Sequence, residues 1–500
     1  MSVLMINPNR FRPHIAPIGL EYVCNSLLRE NIEFDLIDLN FEPESVIYRK
    51  LGENNVDLVG ITVRNLDSGV LAKTVLFQPG IKKLVNRIKN TRDCKVVLGG
   101  IGFSVLPREI LAYSGADFGV IGYGEEALPQ LVRALRQGGD LSKIDNLIRR
   151  ENDKFRVNPI STGDYENIPT RRRDIVRNLS YYRVYGLGGI EPMRGCPETC
   201  GYCCEPKVVG RKIVTHKIAN VIEELIQLKS MGIHHVFFCD SEINLCNREY
   251  LFDFCEQLND RQVGITWTAS MYPDPKTVSH KLLTLMNKAG CCEIFFGCDS
   301  GSDEILAGMG KWHTSEDSVI FAEYLRKAGI RPLPAYLIGW PGESVKTIGE
   351  TFDHIKRCQA EEVVMEAGVR IYPDTKIARI AMEEGVIGKD TNLMDPIFYN
   401  SEQVLREFLP YIRRCAKDMA STILYPTGAI NFINLLIRNF FLLDGYTARG
   451  IGDFTAHMNN LPRRKKLKML GKTVLDFALP FKRRFVPLAA GDKSAADTGK

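Results

Sequence analysis

The sequence has 500 residues, a formal net charge of +5 and a hydrophobic share of 45%. This length exceeds one ordinary domain and predicts two or three, each with enough apolar residues for a core. The small charge does not indicate a nucleic-acid-binding protein, and no run of about 20 apolar residues predicts a membrane-spanning helix. Because no signal-peptide pattern is present, we expect a cytoplasmic protein.

The first third of the chain alternates strand-like and helix-like segments. Short apolar runs with strand character occur at residues 3–6, 34–39, 56–63, 95–98 and 118–121. Segments 19–29, 78–89 and 127–136 have the pattern of connecting helices. This alternation predicts a parallel sheet covered by helices on both faces, with ligands bound at the carboxyl ends of its strands. We therefore assign residues 1–137 to a doubly wound, Rossmann-like α/β domain.

Glycines and polar residues follow the predicted strands. Gly99 and Gly100 come after the fourth strand, and Gly122 and Glu125 come after the fifth. Glycines at such ends let a bulky ligand approach the backbone, although a purely structural turn is the alternative. Residues 138–185 lack clear periodicity and are interpreted as a connection between domains. The basic run 171–173 within it is interpreted as a solvated face.

Cys196, Cys200 and Cys203 form a CxxxCxxC pattern just after a short predicted strand. Three thiolates on one tight loop can bind three irons of a [4Fe–4S] cluster and leave the fourth iron open. Zinc knuckles instead use C-x2-C pairs with further cysteines or histidines downstream, which do not follow here at ligand spacing. The neighbouring Cys204 is predicted to be a packing thiol, because adjacent loop residues usually point apart.

This loop resembles that of the radical S-adenosylmethionine (SAM) superfamily, in which SAM chelates the open iron. From residue 186 to 390 a second alternation follows, with a helix at 219–231 and strands at 235–239, 264–269, 293–297, 333–339 and 363–371. With the strand that precedes the cysteine loop, these resemble the partial (β/α)6 barrel of the superfamily. The active site would then lie at the carboxyl ends of the barrel strands.

The resemblance implies a set of SAM contacts at those strand ends. Glu242, with Asp240 as the alternative, would meet the SAM amino group. Asp299 and Ser300 would hold the ribose and carboxylate. Further contacts to the adenine are implied for three residues: the backbone of Tyr202, and Ile338 and Gly339.

Joined to such a barrel, the N-terminal domain resembles the cobalamin-binding domain of the cobalamin-dependent radical SAM class. The implied cobalamin contacts are Asn7, Thr62, Arg64, Leu66, Gly99, Gly100, Gly122 and Glu125. The DxHxxG motif that supplies a histidine to cobalt is absent from the first strand–helix turn. His14 is the nearest imidazole and is predicted to be a surface residue, so residues 64–66 are the candidates to cover the lower corrin face.

Residues 391–500 are predicted to be a mostly helical region. Segment 430–443 is apolar but interrupted by polar residues, which indicates a packed helix. The basic segment 463–484 could rest on an anionic membrane surface, with a solvated helix face as the alternative. The last ten residues have the composition of a disordered tail.

The resemblance implies a cobalamin-dependent radical SAM methyltransferase that acts on an unactivated carbon. One SAM would methylate cobalamin, a second would yield a 5′-deoxyadenosyl radical, and methylcobalamin would supply the methyl group. The implied cofactors are a [4Fe–4S] cluster, SAM and cobalamin. The implied partners are a small-molecule or peptide substrate and an electron donor of the flavodoxin or ferredoxin type, without nucleic acid. The alternatives are a cyclase or rearranging enzyme of the same architecture and a non-catalytic regulatory protein.

Overall fold

The computed structural model describes residues 2–424, apart from 12–13, 54–55, 72–73, 152–153, 184–186, 361 and 418–421. The hypotheses on segments 430–443 and 463–484 and on the last ten residues fall outside the described residues. Among the helices of the described part, none is both long and apolar enough to cross a membrane.

The first sheet has seven strands in the order β2-β1-β3-β4-β5-β6-β7. They are β1 (Ser2–Asn7), β2 (Phe34–Asp38), β3 (Val56–Thr62), β4 (Lys95–Gly99), β5 (Phe118–Val120), β6 (Leu147–Glu151) and β7 (Lys154–Val157). The first five strands pair in parallel and correspond to the five predicted apolar runs. The doubly wound fold of the N-terminal domain is therefore confirmed.

The helices of this domain are α1 (Ile18–Arg29), α2 (Ser45–Glu53), α3 (Gln78–Thr91), α4 (Ile101–Val105), α5 (Pro107–Ser114) and α6 (Ala127–Gln137). Glycine ends two of them, because Gly115 and Gly138 adopt the left-handed conformation with φ of 74° and 69°. That conformation costs glycine little and lets the chain leave the helix towards the next strand.

Part of the predicted connection belongs to this sheet. Strands β6 and β7 form an antiparallel hairpin that extends the sheet beyond β5. Leu147 and Ile148 are fully buried, whereas β7 is mostly exposed. The segment 138–185, which the sequence analysis interprets as a connection between domains, thus contributes two strands to the first sheet. Strands of four and five residues are too short to show a clear period in the sequence.

The second sheet has the strand order β8-β11-β12-β13-β14-β15-β18, and all of its pairs are parallel. The strands of this half of the chain are β8 (Gly189–Ile190), β9 (Met193–Arg194), β10 (Val214–Thr215), β11 (His235–Phe238), β12 (Thr266–Ser270), β13 (Cys291–Asp299), β14 (Arg331–Ile338), β15 (Val363–Ala367), β16 (Val369–Arg370), β17 (Phe398–Tyr399) and β18 (Thr422–Leu424). The six expected barrel strands lie in sequence order, and β18 adds a short seventh.

The predicted strand 363–371 is divided in two. Strand β15 belongs to the barrel sheet, whereas β16 pairs antiparallel with β17. Gly368 separates them with a φ of 106°, and a Cβ atom there would lie 2.8 Å from Leu71 of the N-terminal domain. The turn between β15 and β16 therefore needs glycine both for its backbone conformation and for the close approach of Leu71.

Helices surround this sheet: α7 (Asn178–Arg183), α8 (Glu205–Val209), α9 (Ile218–Ser230), α10 (Arg248–Asp260), α11 (His280–Lys288), α12 (Asp303–Met309), α13 (Ser315–Lys327), α14 (Val345–Cys358), α15 (Lys376–Glu383), α16 (Ser401–Gln403) and α17 (Leu409–Lys417). The core between sheet and helices includes Trp267, whose ring stacks on Phe238 at 4.5 Å between centroids. Within the predicted C-terminal region, residues 401–417 are helical and include a π-helical turn at Val404–Phe408.

The basic run 171–173 is not a solvated face. Arg171 and Arg173 are 2% and 0% exposed, and only Arg172 lies at the surface, where it pairs with Asp174. The prediction was wrong for two of the three arginines, because a charge run does not reveal whether buried carboxylates elsewhere in the chain pair with it.

The partners of the two buried arginines come from both domains. Arg173 Nε donates to Glu21 Oε2 on α1 at 3.0 Å, and its Nη2 donates to the Gly189 carbonyl on β8 at 2.8 Å. Arg171 Nε donates to Glu224 Oε1 on α9 at 2.7 Å. Because α1 belongs to the N-terminal domain and α9 to the barrel, these arginines join the two domains.

Candidate active site

The cysteine loop starts directly after β9 and is held by backbone contacts. Gly195 has a φ of 96°, and a Cβ atom there would lie 2.1 Å from the Lys212 carbonyl oxygen. The Cys196 N–H donates to the Gly210 carbonyl at 2.9 Å, and the Cys203 N–H donates to the Cys200 carbonyl at 3.0 Å. The tight loop therefore depends on glycine at position 195 and on contact with residues 210–212.

None of the fourteen cysteines forms a disulfide bond. Cys196 is buried, whereas Cys200, Cys203 and Cys204 are half-buried. Burial raises the pKa of the Cys196 thiol to about 11 and that of Cys204 to about 11. Metal ligation would lower the pKa of such a thiol, because iron or zinc binds the deprotonated sulfur. Cys204 precedes α8 as its N-cap residue.

Asp240 and Glu242 follow β11 at the carboxyl end of the barrel sheet. Both Asp240 carboxylate oxygens and Glu242 Oε2 are buried without a hydrogen-bond partner among the described residues. Burial raises the pKa of both carboxyl groups well above their ordinary range. Unpartnered buried carboxylates are costly, and a ligand ammonium group would satisfy them. These residues therefore fit the amino group of SAM.

Asp299 ends β13 and already has two partners. Its Oδ2 accepts a hydrogen bond from Tyr202 Oη at 2.8 Å and lies 2.6 Å from Lys311 Nζ. Burial raises the pKa of the nearby Cys200 thiol, and the positive charge of Lys311 opposes that rise. Lys311 thus connects the barrel carboxylate with the cysteine loop. Sequence reasoning missed this residue, because a single lysine after a helix carries no distinctive pattern.

Two residues predicted to contact SAM point elsewhere. Ser300 is fully buried, and its Oγ lies 3.3 Å from Thr351 Oγ1 on α14 and accepts from the Ser302 N–H. Ile338 packs in the core between sheet and helices, whereas its neighbour Leu337 and Tyr202 both pack against the cluster that contains Trp340. Side chains alternate along a strand, so Leu337 rather than Ile338 faces the side of the sheet on which Tyr202 lies.

A cavity of about 280 Å³ lies between the carboxyl edge of the first sheet and the barrel. Seven of the eight residues predicted to contact cobalamin line it: Asn7, Thr62, Arg64, Gly99, Gly100, Gly122 and Glu125. The exception is Leu66, which is 5% exposed and packs in the domain core. The barrel contributes Glu191, Arg194, Glu205 and Cys239 to the same cavity.

Several cavity residues are held by their neighbours. Asn7 Nδ2 donates to Asp38 Oδ1 at 3.1 Å and to Tyr181 Oη at 2.9 Å. Gly100 has a φ of 104°, and a Cβ atom there would lie 2.8 Å from the Val63 carbonyl oxygen. The glycine edge therefore remains open towards the cavity only because these positions carry no side chain.

Glu125 is engaged by an arginine next to the cysteine loop. Arg194 Nη2 donates to the carboxylates of Glu125 and Glu191, and its guanidinium lies 3.7 Å from the centroid of the Tyr123 ring. Glu125 belongs to the N-terminal domain, whereas Arg194 immediately precedes the loop Gly195–Cys196. The pair therefore fixes the cysteine loop relative to the cavity.

No histidine lines the cavity within the described part of the chain. His14 is half-buried in the preceding loop, where its carbonyl accepts from the Leu187 N–H at 3.0 Å. Arg64 donates to Asn65 Oδ1 at 3.0 Å and lies at the cavity wall, where burial lowers the pKa of its guanidinium. The glycine edge and the absence of a histidine from the described cavity lining both fit a corrin whose lower face is held without imidazole.

Known protein families match both the N-terminal domain and the barrel. The family model of the radical SAM superfamily matches residues 190–355, and that of the B12 binding domain matches residues 9–132. The chain is 26% identical to a tryptophan 2-C-methyltransferase of Streptomyces laurentii, over 77% of this chain and 75% of that protein. It is 27% identical to an uncharacterized methyltransferase of Pyrococcus horikoshii, over 78% and 85% of the two chains.

Solved structures share the fold. The radical SAM methyltransferase TsrM of Kitasatospora setae, with cobalamin and a [4Fe–4S] cluster bound, superposes with a TM-score of 0.80 at 24% identity and covers 92% of this chain and 99% of its own. The cobalamin-dependent radical SAM enzyme OxsB superposes with a TM-score of 0.70 at 16% identity, over 96% and 75% of the chains. The chain belongs to the radical SAM enzymes that carry a cobalamin-binding domain.

Proposed function

We propose that this chain is a cobalamin-dependent radical SAM methyltransferase that methylates a carbon atom of a small molecule. The observation that carries the proposal is the cavity shared by the glycine edge of the first sheet and the residues around the cysteine loop. A methyl carrier and a radical source must approach the same substrate, and this arrangement brings their proposed sites together. Relatives that cover three quarters of the chain are named methyltransferases.

The barrel residues have distinct proposed roles. Cys196, Cys200 and Cys203 would ligate three irons, and Asp240 with Glu242 would bind the SAM ammonium group. When bound, the cluster with SAM supplies a 5′-deoxyadenosyl radical, and cobalamin carries the methyl group. The proposed cofactors are therefore the [4Fe–4S] cluster, SAM and cobalamin. The protein orients these groups and excludes water from them.

Arg64 is the proposed cover of the lower corrin face. A guanidinium has five N–H donors and no lone pair available for cobalt. Placed against the lower face, it would block that position sterically without becoming a ligand. Thr62 and the glycines at positions 99, 100 and 122 would contact the remaining edge of the corrin.

The test is anaerobic reconstitution with iron, sulfide and hydroxocobalamin, followed by incubation with SAM carrying a labelled methyl group. Tryptophan is the first substrate to test, because one relative is named a tryptophan 2-C-methyltransferase. The expected product contains one labelled methyl group in place of hydrogen. A product of unchanged or hydrogen-depleted mass would instead support the cyclase alternative.

A purified chain that takes up no cobalamin would contradict the proposal. The reaction would also need an external electron donor, for which a flavodoxin or ferredoxin is proposed. We place the enzyme in the cytoplasm, where thiols remain reduced.

A further inference from the structure

A second sulfur-rich group lies between the barrel sheet and α14. Cys298 precedes the last residue of β13, and His354 and Cys358 are one turn apart on α14. The three side chains are 0%, 2% and 0% exposed. The two Sγ atoms and a ring nitrogen of the histidine all lie within 4.8 Å of one another. Three soft ligand atoms thus converge at a buried point outside the SAM and cobalamin sites.

The hydrogen bond of His354 to a backbone carbonyl determines which ring nitrogen keeps a lone pair. Its Nε2 lies 2.8 Å from the Ser315 carbonyl oxygen. Because a carbonyl only accepts, Nε2 carries the hydrogen and Nδ1 keeps its lone pair. A histidine that binds a metal through one nitrogen commonly donates the other N–H to a carbonyl in this way.

The distance from the ring nitrogen to the Cys358 sulfur is close to the separation of two ligands on one zinc ion. His354 Nδ1 lies 3.7 Å from Cys358 Sγ, and Nε2 lies 3.8 Å from it. Nitrogen and sulfur ligands that share a tetrahedral zinc ion at ordinary bond lengths are about 3.6 Å apart. Tyr336 Oη lies 2.9 Å from His354 Nδ1 and 3.8 Å from Cys358 Sγ. Because Nδ1 is the acceptor, the phenol O–H donates to it, and an ion bound to Nδ1 would replace this hydrogen bond.

Charge balance also favours a metal ion in this group. Two thiolates, a neutral imidazole and a divalent ion together carry no net charge, which avoids the cost of an isolated charge in a dry interior. Thiolate sulfur selects zinc-like ions over magnesium or calcium, which prefer oxygen ligands.

We propose that Cys298, His354 and Cys358 form a structural site for a thiophilic divalent cation such as Zn²⁺. The site joins the end of β13 to α14. Cys298 immediately precedes Asp299, which pairs with Lys311 and Tyr202 on the other side of the sheet. The ion therefore holds the strand end that carries a residue of the SAM site. Binding of the ion at this site does not require that the chain catalyses the proposed methyl transfer.

The test must exclude zinc bound to the cysteine loop. The parent variant is therefore the full chain with Cys196→Ala, Cys200→Ala and Cys203→Ala, purified with zinc and dialysed. We expect one zinc per chain by elemental analysis. Adding Cys358→Ser should lower the zinc content to background. The matched control is Cys255→Ser, which removes an equally buried thiol on α10 and should leave the zinc content unchanged.

X-ray absorption at the zinc edge of the parent variant tests the ligands without a further mutation. We expect two sulfur neighbours at about 2.3 Å and a nitrogen at about 2.0 Å. Circular dichroism verifies that each variant is folded. A folded parent variant that binds no zinc, equal zinc in the Cys358→Ser variant, or a spectrum without sulfur neighbours would overturn the proposal.

Discussion

At the scale of single residues, the spacing in the cysteine loop predicts which cysteines bind iron and which adjacent cysteine does not. Replacement of Cys196, Cys200 or Cys203 by alanine should abolish the charge-transfer absorption of a reconstituted [4Fe–4S] cluster, because each removes one iron ligand. Cys204→Ala should retain that absorption, because Cys204 lies outside the CxxxCxxC spacing of the three ligands. Loss of the cluster in Cys204→Ala alone would show that the ligand assignment is wrong.

The unpartnered carboxylates after β11 predict opposite effects on stability and on ligand binding. Asp240→Asn and Glu242→Gln replace buried carboxyl groups whose ionisation is costly, so each should raise the melting temperature of the SAM-free protein. The same changes should weaken SAM binding by about 10-fold or more, because a hydrogen bond to a charged group contributes roughly 1.5–3 kcal/mol.

Calorimetric titration with SAM and thermal unfolding measure these two effects. Asp253→Asn, at an exposed position of α10, is the control and should change neither quantity. A variant at position 240 or 242 that lost stability and kept its SAM affinity would indicate a purely structural carboxylate.

At the scale of elements, a buried carboxyl group lies just before α14, at the residue that precedes the N-cap Ser344. Glu343 accepts a hydrogen bond from Thr347 Oγ1 at 2.5 Å, and its Oε2 has no partner among the described residues. Burial raises the pKa of Glu343 to about 7 from its ordinary value of 4.5. The folded chain therefore keeps this proton to a higher pH than the unfolded chain does.

The raised pKa predicts a pH-dependent effect of Glu343→Gln. The stability contributed by the protonated carboxyl group is complete below pH 4.5 and is lost as the pH rises to about 7. Above that pH, Glu343→Gln should exceed the wild type in free energy of unfolding by up to about 3 kcal/mol, at 1.36 kcal/mol per pKa unit. Denaturant unfolding at pH 5 and pH 8 measures the difference, and a gain equal at both values would contradict the buried-proton explanation.

The basic run 171–173 contains buried and exposed arginines, so their replacement should have unequal effects on stability. Arg173→Met should destabilise the protein by about 3–5 kcal/mol, because it leaves the buried Glu21 carboxylate without its ion pair. Arg172→Met removes only an exposed pair and should cost less than about 1 kcal/mol. Chemical denaturation of both variants measures the contrast, and similar losses would show that burial of the ion pair is not the cause.

At the scale of the whole molecule, the cavity between the domains predicts the coordination of cobalt. Because no histidine lines the described part of the cavity, bound Co(II) cobalamin should show no nitrogen hyperfine coupling from a protein imidazole. Electron paramagnetic resonance of the reconstituted protein measures this coupling. A strong axial nitrogen signal that disappears in His14→Ala would show that the lower face is held by histidine after all.

The sequence by itself predicted those features that depend on residues close together in the chain. The cysteine spacing indicates a cluster loop because three ligands within eight residues must lie close together in any fold. The five parallel strands and the barrel strands were readable from short apolar runs, since buried parallel strands carry apolar side chains on both faces. The glycines at positions 99, 100 and 122 were also predictable from their place after strands.

Tertiary structure alone decided the partners of charged and strand-end residues. Arg171 and Arg173 resemble surface residues in sequence. In the structure they are buried and form ion pairs with carboxylates more than 50 positions away in the chain. The side of the sheet that Leu337 and Ile338 face depends on the register of β14, which one residue of shift would reverse. The meeting of Cys298 with His354 and Cys358 likewise depends on how α14 packs against β13, because such contacts are long-range and leave no periodic trace in the chain.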